Sequence, residues 1–191
     1  MAYLLIDDMR QHLDIESDDD DEALHDAIAD AQSWIENYTH RKFEGSTATR
    51  YFDRGDLSPE NNRLLEMDED LISITTLTNG DSDATAIAAT EYNLMPRNTT
   101  PKHGILMDSE SAYYWEFDAD YWVSVAGSWG YSATPPADVK RACKHLAAFF
   151  YRQKDSQIFD VTAIPEAGVI TIPQGIPATV LRILGQYRKS I

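Results

Sequence analysis

The 191-residue sequence predicts an α+β fold, a small bundle of three to four helices with an inserted antiparallel β subdomain. Three observations predict it. Apolar residues recur at three- and four-residue steps towards both ends of the chain, which is the spacing of one helix face. Between those stretches, from about Thr47 to Gly127, the period falls to two and turn residues punctuate the chain, as in short paired strands. Finally, 43% hydrophobic content in this length fills one core plus a modest insertion. The expected boundaries are 1–46 for the N-terminal helices of the bundle, 47–131 for the β subdomain, 132–154 for a core helix, and 155–191 for a loop and a closing helix.

A short first helix is expected to begin near Asp7, with Met9 and Leu13 inward. The second is more clearly written: Leu24, Ala27, Ile28, Ala31, Trp34, Ile35 and Tyr38 share one face. Just before it stand five consecutive acids, Asp18, Asp19, Asp20, Asp21 and Glu22. Asp19 and Glu22 have the spacing of a capping box, and negative charge at this end favours the helix dipole. Capping uses one or two acids, so the run exceeds what a helix start requires.

Past "HRKFEG" the pattern changes. Thr47, Thr49 and Tyr51 alternate, as do Leu71, Ser73, Thr75 and Leu77. "TNGDS" signals a tight turn through Asn79-Gly80. "TAIAATEYNLM", "GILMD", "AYYWEF" and "DYWVSVAG" supply the remaining candidates, for about six or seven short strands. "TPPAD" stops the strands and opens a helix. Val139, Ala142, Cys143, Leu146, Phe149 and Phe150 form its apolar face, with Lys140, Arg141 and Lys144 largely off it. "KDSQIFDVTAIPEAGVITIPQG" reads as a loop holding one short strand. "IPATVLRILGQYRKS" closes as a helix with Val180, Leu181, Leu184 and Tyr187 at helical spacing.

Net charge is −16, with a pI near 4.5. Such a field disfavours binding to a phosphate backbone, which relies on Lys and Arg to displace counterions. It suits a surface past which nucleic acid slides without adhering. From Met1 to His40 twelve acids face a single base, Arg10; from Gln174 to Ile191 there is no acid, but there are Arg182, Arg188 and Lys189. The two ends are built for different surroundings.

Signals for chemistry are absent. One cysteine, Cys143, excludes an intramolecular disulfide and reads as a small hydrophobe. The start "MAYLLIDDMR" has no basic region of a signal peptide, and no apolar stretch reaches membrane-spanning length. A soluble protein made in a reducing compartment is expected. An EF-hand register from Asp14 puts Asp19 where glycine belongs and His25 where glutamate belongs, and a start at Asp18 fails likewise. The five histidines form no HExxH pattern, and no CxxC, G-x-S-x-G or Walker A motif occurs. No enzyme activity, cofactor or metal is expected. Tyr113, Tyr114, Trp115, Phe117, Tyr121, Trp122, Trp129 and Tyr131 crowd one span. They read either as a small β core with an interface around it or as a sugar-stacking surface.

Two stretches carry a resemblance. They are "YLLIDDMRQHLDIESDDDDEALHDAIADAQSWIENYTHRKFE" and "VAGSWGYSATPPADVKRACKHLAAFFYRQKD". In order and spacing they resemble the head–tail connector (adaptor, or head-completion) proteins of tailed bacteriophages. Those proteins have a short helix, an acid-rich turn, a long helix ending in a Tyr-x-x-Arg-x-Phe-like segment, and a later Gly…Pro-x-Asp-Val helix packed on it. The matching positions are Leu13, Asp18 to Glu22, Ala27, Ala31, Ile35, Tyr38, Arg41 and Phe43, then Gly127, Pro136, Asp138, Val139, Ala142, Leu146, Ala147, Tyr151 and Arg152. The closing "IPATVLRILGQYRKS" is similar to the tail of longer members. The β segment cannot be matched residue by residue.

The resemblance implies a structural virion protein. It would form a ring with copies of itself, a dodecamer in the virion, docked under the portal protein after DNA packaging. It would extend the DNA channel, without specific DNA binding or any membrane, and offer a platform to the next neck or tail-completion protein. The place would be the virion neck, reached from the host cytoplasm during assembly. On this reading Val180, Leu181, Arg182, Leu184, Tyr187 and Arg188 are expected to bind the portal, with packing of that helix on the protein's own core as the competing reading. Of Asp18, Asp19, Asp20, Asp21 and Glu22, part is expected to cap the second helix and the remainder to present an acidic channel or ring surface, with a solvated helix end that only aids solubility as the competing reading. Alternatives are a carbohydrate-binding β module of a tail or baseplate component, and an acidic DNA mimic.

Overall fold

The computed structural model describes residues 3–118, 120–156 and 175–189, with 154–156 described by backbone alone. The chain divides into two compact units, one of Met1–Arg41 with Pro135–Ile191, the other of Lys42–Thr134.

The first unit is helical: α1 (Ile6–Leu13), α2 (Asp21–Thr39), α3 (Ala137–Ser156) and α4 (Ala178–Leu184). α2 and α3 form the main pair, α1 leans on both, and α4 lies on α3. The 3.6-residue stripe explains why. Met9 of α1, Leu24, Ala27, Ile28, Ala31 and Ile35 of α2, and Val139, Ala142, Cys143, Leu146 and Ala147 of α3 are all buried. At about 25 cal/mol per Å² of apolar surface, this burial is what offsets the ordering of the helices. Trp34 and Tyr38, expected on the inward face, are only half-buried; they stack on each other with ring centroids 5.0 Å apart. Phe149 and Phe150 are likewise half-buried. Burial pushes the Cys143 thiol up to about 12, which leaves it protonated and inert.

The start of α2 corrects the capping expectation. Its N-cap is Asp20, and no side chain caps it. Asp21 instead receives the guanidinium of Arg10, with Nε donating to Oδ1 at 2.8 Å and a second, shorter bond from Nη2 to Oδ2. A fork-shaped donor holds the carboxylate better than a single backbone N–H would.

The second unit is a six-stranded antiparallel sheet of β1 (Ser46–Phe52), β2 (Leu57–Ser58), β3 (Asn61–Thr78), β4 (Tyr92–Met95), β5 (Lys102–Met107) and β6 (Val123–Trp129). The order is β1-β6-β3-β5-β4, with β2 pairing on β3. β3 is far longer than the alternation at Leu71–Leu77 predicts. Its first part pairs with β5 and its second with β6, and the register shifts where it changes partner. β6 alternates cleanly, with Val123, Val125, Gly127 and Trp129 buried. A Cβ on Gly127 would run into the Ser73 carbonyl oxygen, so a side chain there would force β3 and β6 apart. Phe52, Leu65, Met67, Leu71, Leu77, Ile105 and Met107 complete the core with them.

One strand expectation and one turn expectation fail. "AYYWEF" forms no strand; it contributes a single bridge, Phe117 to Gly80. The turn in "TNGDS" lies later than Asn79-Gly80. Asn79 N–H donates to Thr85 O at 2.8 Å, and the chain reverses over Asp81–Ala84. Gly80 is buried because Glu116 O approaches where a Cβ would sit. In "TAIAATEYNLM" only Tyr92–Met95 is a strand. The short strand expected within residues 154–175 lies outside the described residues, apart from the end of α3 and Gly175.

Candidate interaction surfaces

Three surfaces are built from the sequence-predicted residues. The first is the acidic turn between α1 and α2. Asp18, Asp19, Asp20 and Glu22 are exposed, and Asp21 is half-buried against Arg10. Asp7 also contacts Arg10, at 3.5 Å. The structure thus divides the run into one carboxylate tied to α1 and four facing solvent. Among the described residues no group of three or more His, Cys, Asp or Glu could hold a metal ion.

The second surface is the C-terminal segment. Val180 and Leu184 are fully buried and Ile183 is buried, whereas Leu181 and Arg182 are exposed. The expected stripe is therefore rotated: positions 180, 183 and 184 face the bundle at i, i+3 and i+4, and Leu181 points outward. The i+3 step from Val180 was the signal for Ile183. Tyr187 lies past the helix and donates its hydroxyl to both oxygens of Asp138, each at 2.8 Å. Its carbonyl accepts from Arg41 Nε at 2.7 Å. Lys189 N–H donates to Thr39 O at 3.0 Å, and the Arg188 guanidinium sits 5.7 Å over the Tyr38 ring. Arg41 and Asp138 were singled out in sequence only through a resemblance, and Tyr38 also through the apolar stripe of α2. Here they form the receptacle for the chain end. Replacing Leu184 and Tyr187 would accordingly disturb the bundle itself.

The third surface is aromatic. Trp115 and Trp129 are buried, and their indole N–H groups donate to Arg63 O at 2.8 Å and Ala48 O at 3.0 Å. Those two rings belong to the core. Tyr51, Tyr113, Tyr114, Tyr121 and Trp122 are exposed. Arg63 stacks 5.0 Å from the Tyr114 ring centroid. Among the described residues no helix is long and apolar enough to cross a membrane.

His12 of α1 and His145 of α3 meet edge to face, with centroids 5.6 Å apart. Desolvation, with His145, Lys144 and Arg152 adding positive charge, lowers the His12 pKa; Asp14 opposes this.

The model of the family described as "Head completion protein" matches residues 3–190, nearly the whole chain. The chain belongs to the head completion protein family. No curated protein matches it by sequence. Among solved structures it is similar to a chain from the "neck of empty GTA particle computed with C6 symmetry", with TM-score 0.65, 18% identity, and coverage of 99% of this chain and 91% of that one. A chain from the "neck of native GTA particle computed with C12 symmetry" gives TM-score 0.60 and 18% identity over 97% of this chain and 88% of that one. A chain from the "virion of native gene transfer agent (GTA) particle" gives 0.62 and 18% over 99% and 91%. At this identity the three structures establish a shared fold. The head completion family is one of structural virion proteins, and the role of this member is that of a head–tail connector. The family match spans the β unit as well as the helices, so the sheet belongs to the connector, and nothing supports a separate carbohydrate-binding module.

Proposed function

We propose that this head completion protein sits in the virion neck as a ring, twelve copies in the finished particle, beneath the portal. There it lengthens the DNA channel and gives the next neck or tail protein its platform. The observation that carries this reading is the whole-chain correspondence, helices and sheet together, to chains from necks computed with C6 and C12 symmetry. Its work is mechanical, with no bond chemistry. Asp18, Asp19, Asp20 and Glu22 line the channel or the ring surface, where their charge keeps DNA from adhering. Asp21 holds the turn through Arg10.

The C-terminal segment docks to the portal through its outward side. Leu181 and Arg182, with Arg188, make the contact, while Val180, Leu184 and Tyr187 hold the segment in place. Arginine in a partly desolvated interface pairs well with carboxylates. The test is capture of the purified protein by immobilised portal. L181A/R182E should lose capture while melting like the parent. Undiminished capture would remove this segment from the portal contact.

A further inference from the structure

The β unit carries a notch at the end of the β1–β6 ladder. β1 ends the strand order, so it has a strand neighbour on one side only. Its last paired residue, Phe52, faces Val123, and one step further Asp53 comes beside Trp122. Tyr51, Asp53, Asp56 and Trp122 line a cavity of about 350 Å³. Tyr51 is 68% exposed and Trp122 55%, an unusual amount of open ring for one spot. The two carboxylates are fixed in place by the turn at Arg54–Asp56. Asp53 Oδ1 accepts from Gly55 N–H at 2.6 Å, and Asp56 Oδ2 from Asp53 N–H at 2.8 Å.

Aromatic faces beside held carboxylates take up a guanidinium or ammonium group. The same unit uses the aromatic half of this chemistry internally: Arg50 lies 5.7 Å from the Trp129 centroid and Arg54 lies 5.9 Å from that of Phe117. Among the described residues the lining of the notch contains no base.

Charge points to the source of that base. Lys42–Thr134 holds sixteen acids and six bases; the helical unit holds sixteen acids and ten bases, and eight of those bases lie in Pro135–Ile191 against four acids there. On α3, Lys140 and Arg141 are exposed side by side, next to the buried Val139 and Ala142. A cyclic ring needs two different, complementary faces on each subunit. We infer that the notch and the Lys140–Arg141 pair are the two halves of one subunit–subunit contact. Arg141 of one copy enters between Tyr51 and Trp122 of the next, with Lys140 beside Asp53 and Asp56. This inference rests on the ring reading above.

Two measurements on purified particles test it. With W122C/R141C, a short bis-maleimide should give a ladder of covalent multimers, while each single variant stays monomeric because Cys143 is buried. A W122C dimer would mean a two-fold contact and overturn the head-to-tail arrangement. In unaltered particles, a carbodiimide joins carboxylate to amine without a spacer, and should yield a cross-linked peptide of Lys140 with Asp53 or Asp56. Particles that contain the protein as multimers but lack this peptide overturn the contact and leave the ring standing. Particles with a single copy overturn both.

Discussion

Leu184→Ala separates the two roles that the C-terminal helix could have. The Leu184 side chain has no exposed surface, in a helix that lies on α3. Truncating a fully buried leucine to alanine removes its transfer energy and leaves a cavity, at a cost of about 3 kcal/mol. For a chain of this size each kcal/mol lowers the melting temperature by about 2–4 °C, so a fall of about 6–12 °C is expected. Leu181→Ala is the matched control. It makes the same chemical change in the same helix, but at a side chain facing solvent, and should stay within about 0.5 kcal/mol of the parent. Thermal unfolding followed by circular dichroism or calorimetry reads both. Helix propensity cancels between the two variants, so their difference reports packing alone. Equal, small shifts would show that α4 does not rest on its own bundle, and the division into inward anchors and outward portal contacts would fall with it.

Other consequences follow from the same geometry. Tyr187→Phe removes a hydroxyl that bridges both Asp138 oxygens and should cost about 1–2 kcal/mol by chemical denaturation, an effect that disappears in an Asp138→Ala background. Leu146→Asp places an unpaired charge in the fully buried α2–α3 core, so cooperative unfolding should be lost; a parental melt would mean the core face is misassigned. His12 has a folded pKa below its ordinary 6.5, so the unfolded chain binds that proton more readily. Its contribution to stability is complete above that ordinary value and is lost as pH falls through the lowered pKa. His12→Gln should therefore flatten the decline in melting temperature between about pH 7 and pH 5, and an unchanged slope would contradict this sign.

The helices were legible because burial on a helix writes a period that few other structures share. Leu24 to Ile35 and Val139 to Leu146 could be placed from spacing alone. The sheet was legible in kind and less so in detail. β3 runs on because its two parts serve different neighbours, and no local pattern announces a change of partner. The aromatic run around Trp115 looked like a strand by composition, yet Trp115 is buried from an irregular segment by an indole bond to Arg63 O. The capping box failed because α2 starts at Asp21 with Asp20 at its N-cap, one residue later than a box of Asp19 and Glu22 requires. The surfaces were least legible. Which of Leu181 and Ile183 turns inward depends on where a seven-residue helix starts. The notch joins Tyr51 of β1 to Trp122, the residue before β6, which only the pairing of those two strands brings together.

As a head–tail connector, this protein joins head to tail. A stop codon at Trp34 in the genome that encodes it, followed by electron microscopy of the lysate, tests that most directly. Unattached tails are expected beside heads that are filled or have leaked their DNA, with joined particles restored when the intact chain is supplied from a plasmid. Intact particles with normal necks in the absence of the protein would contradict that role.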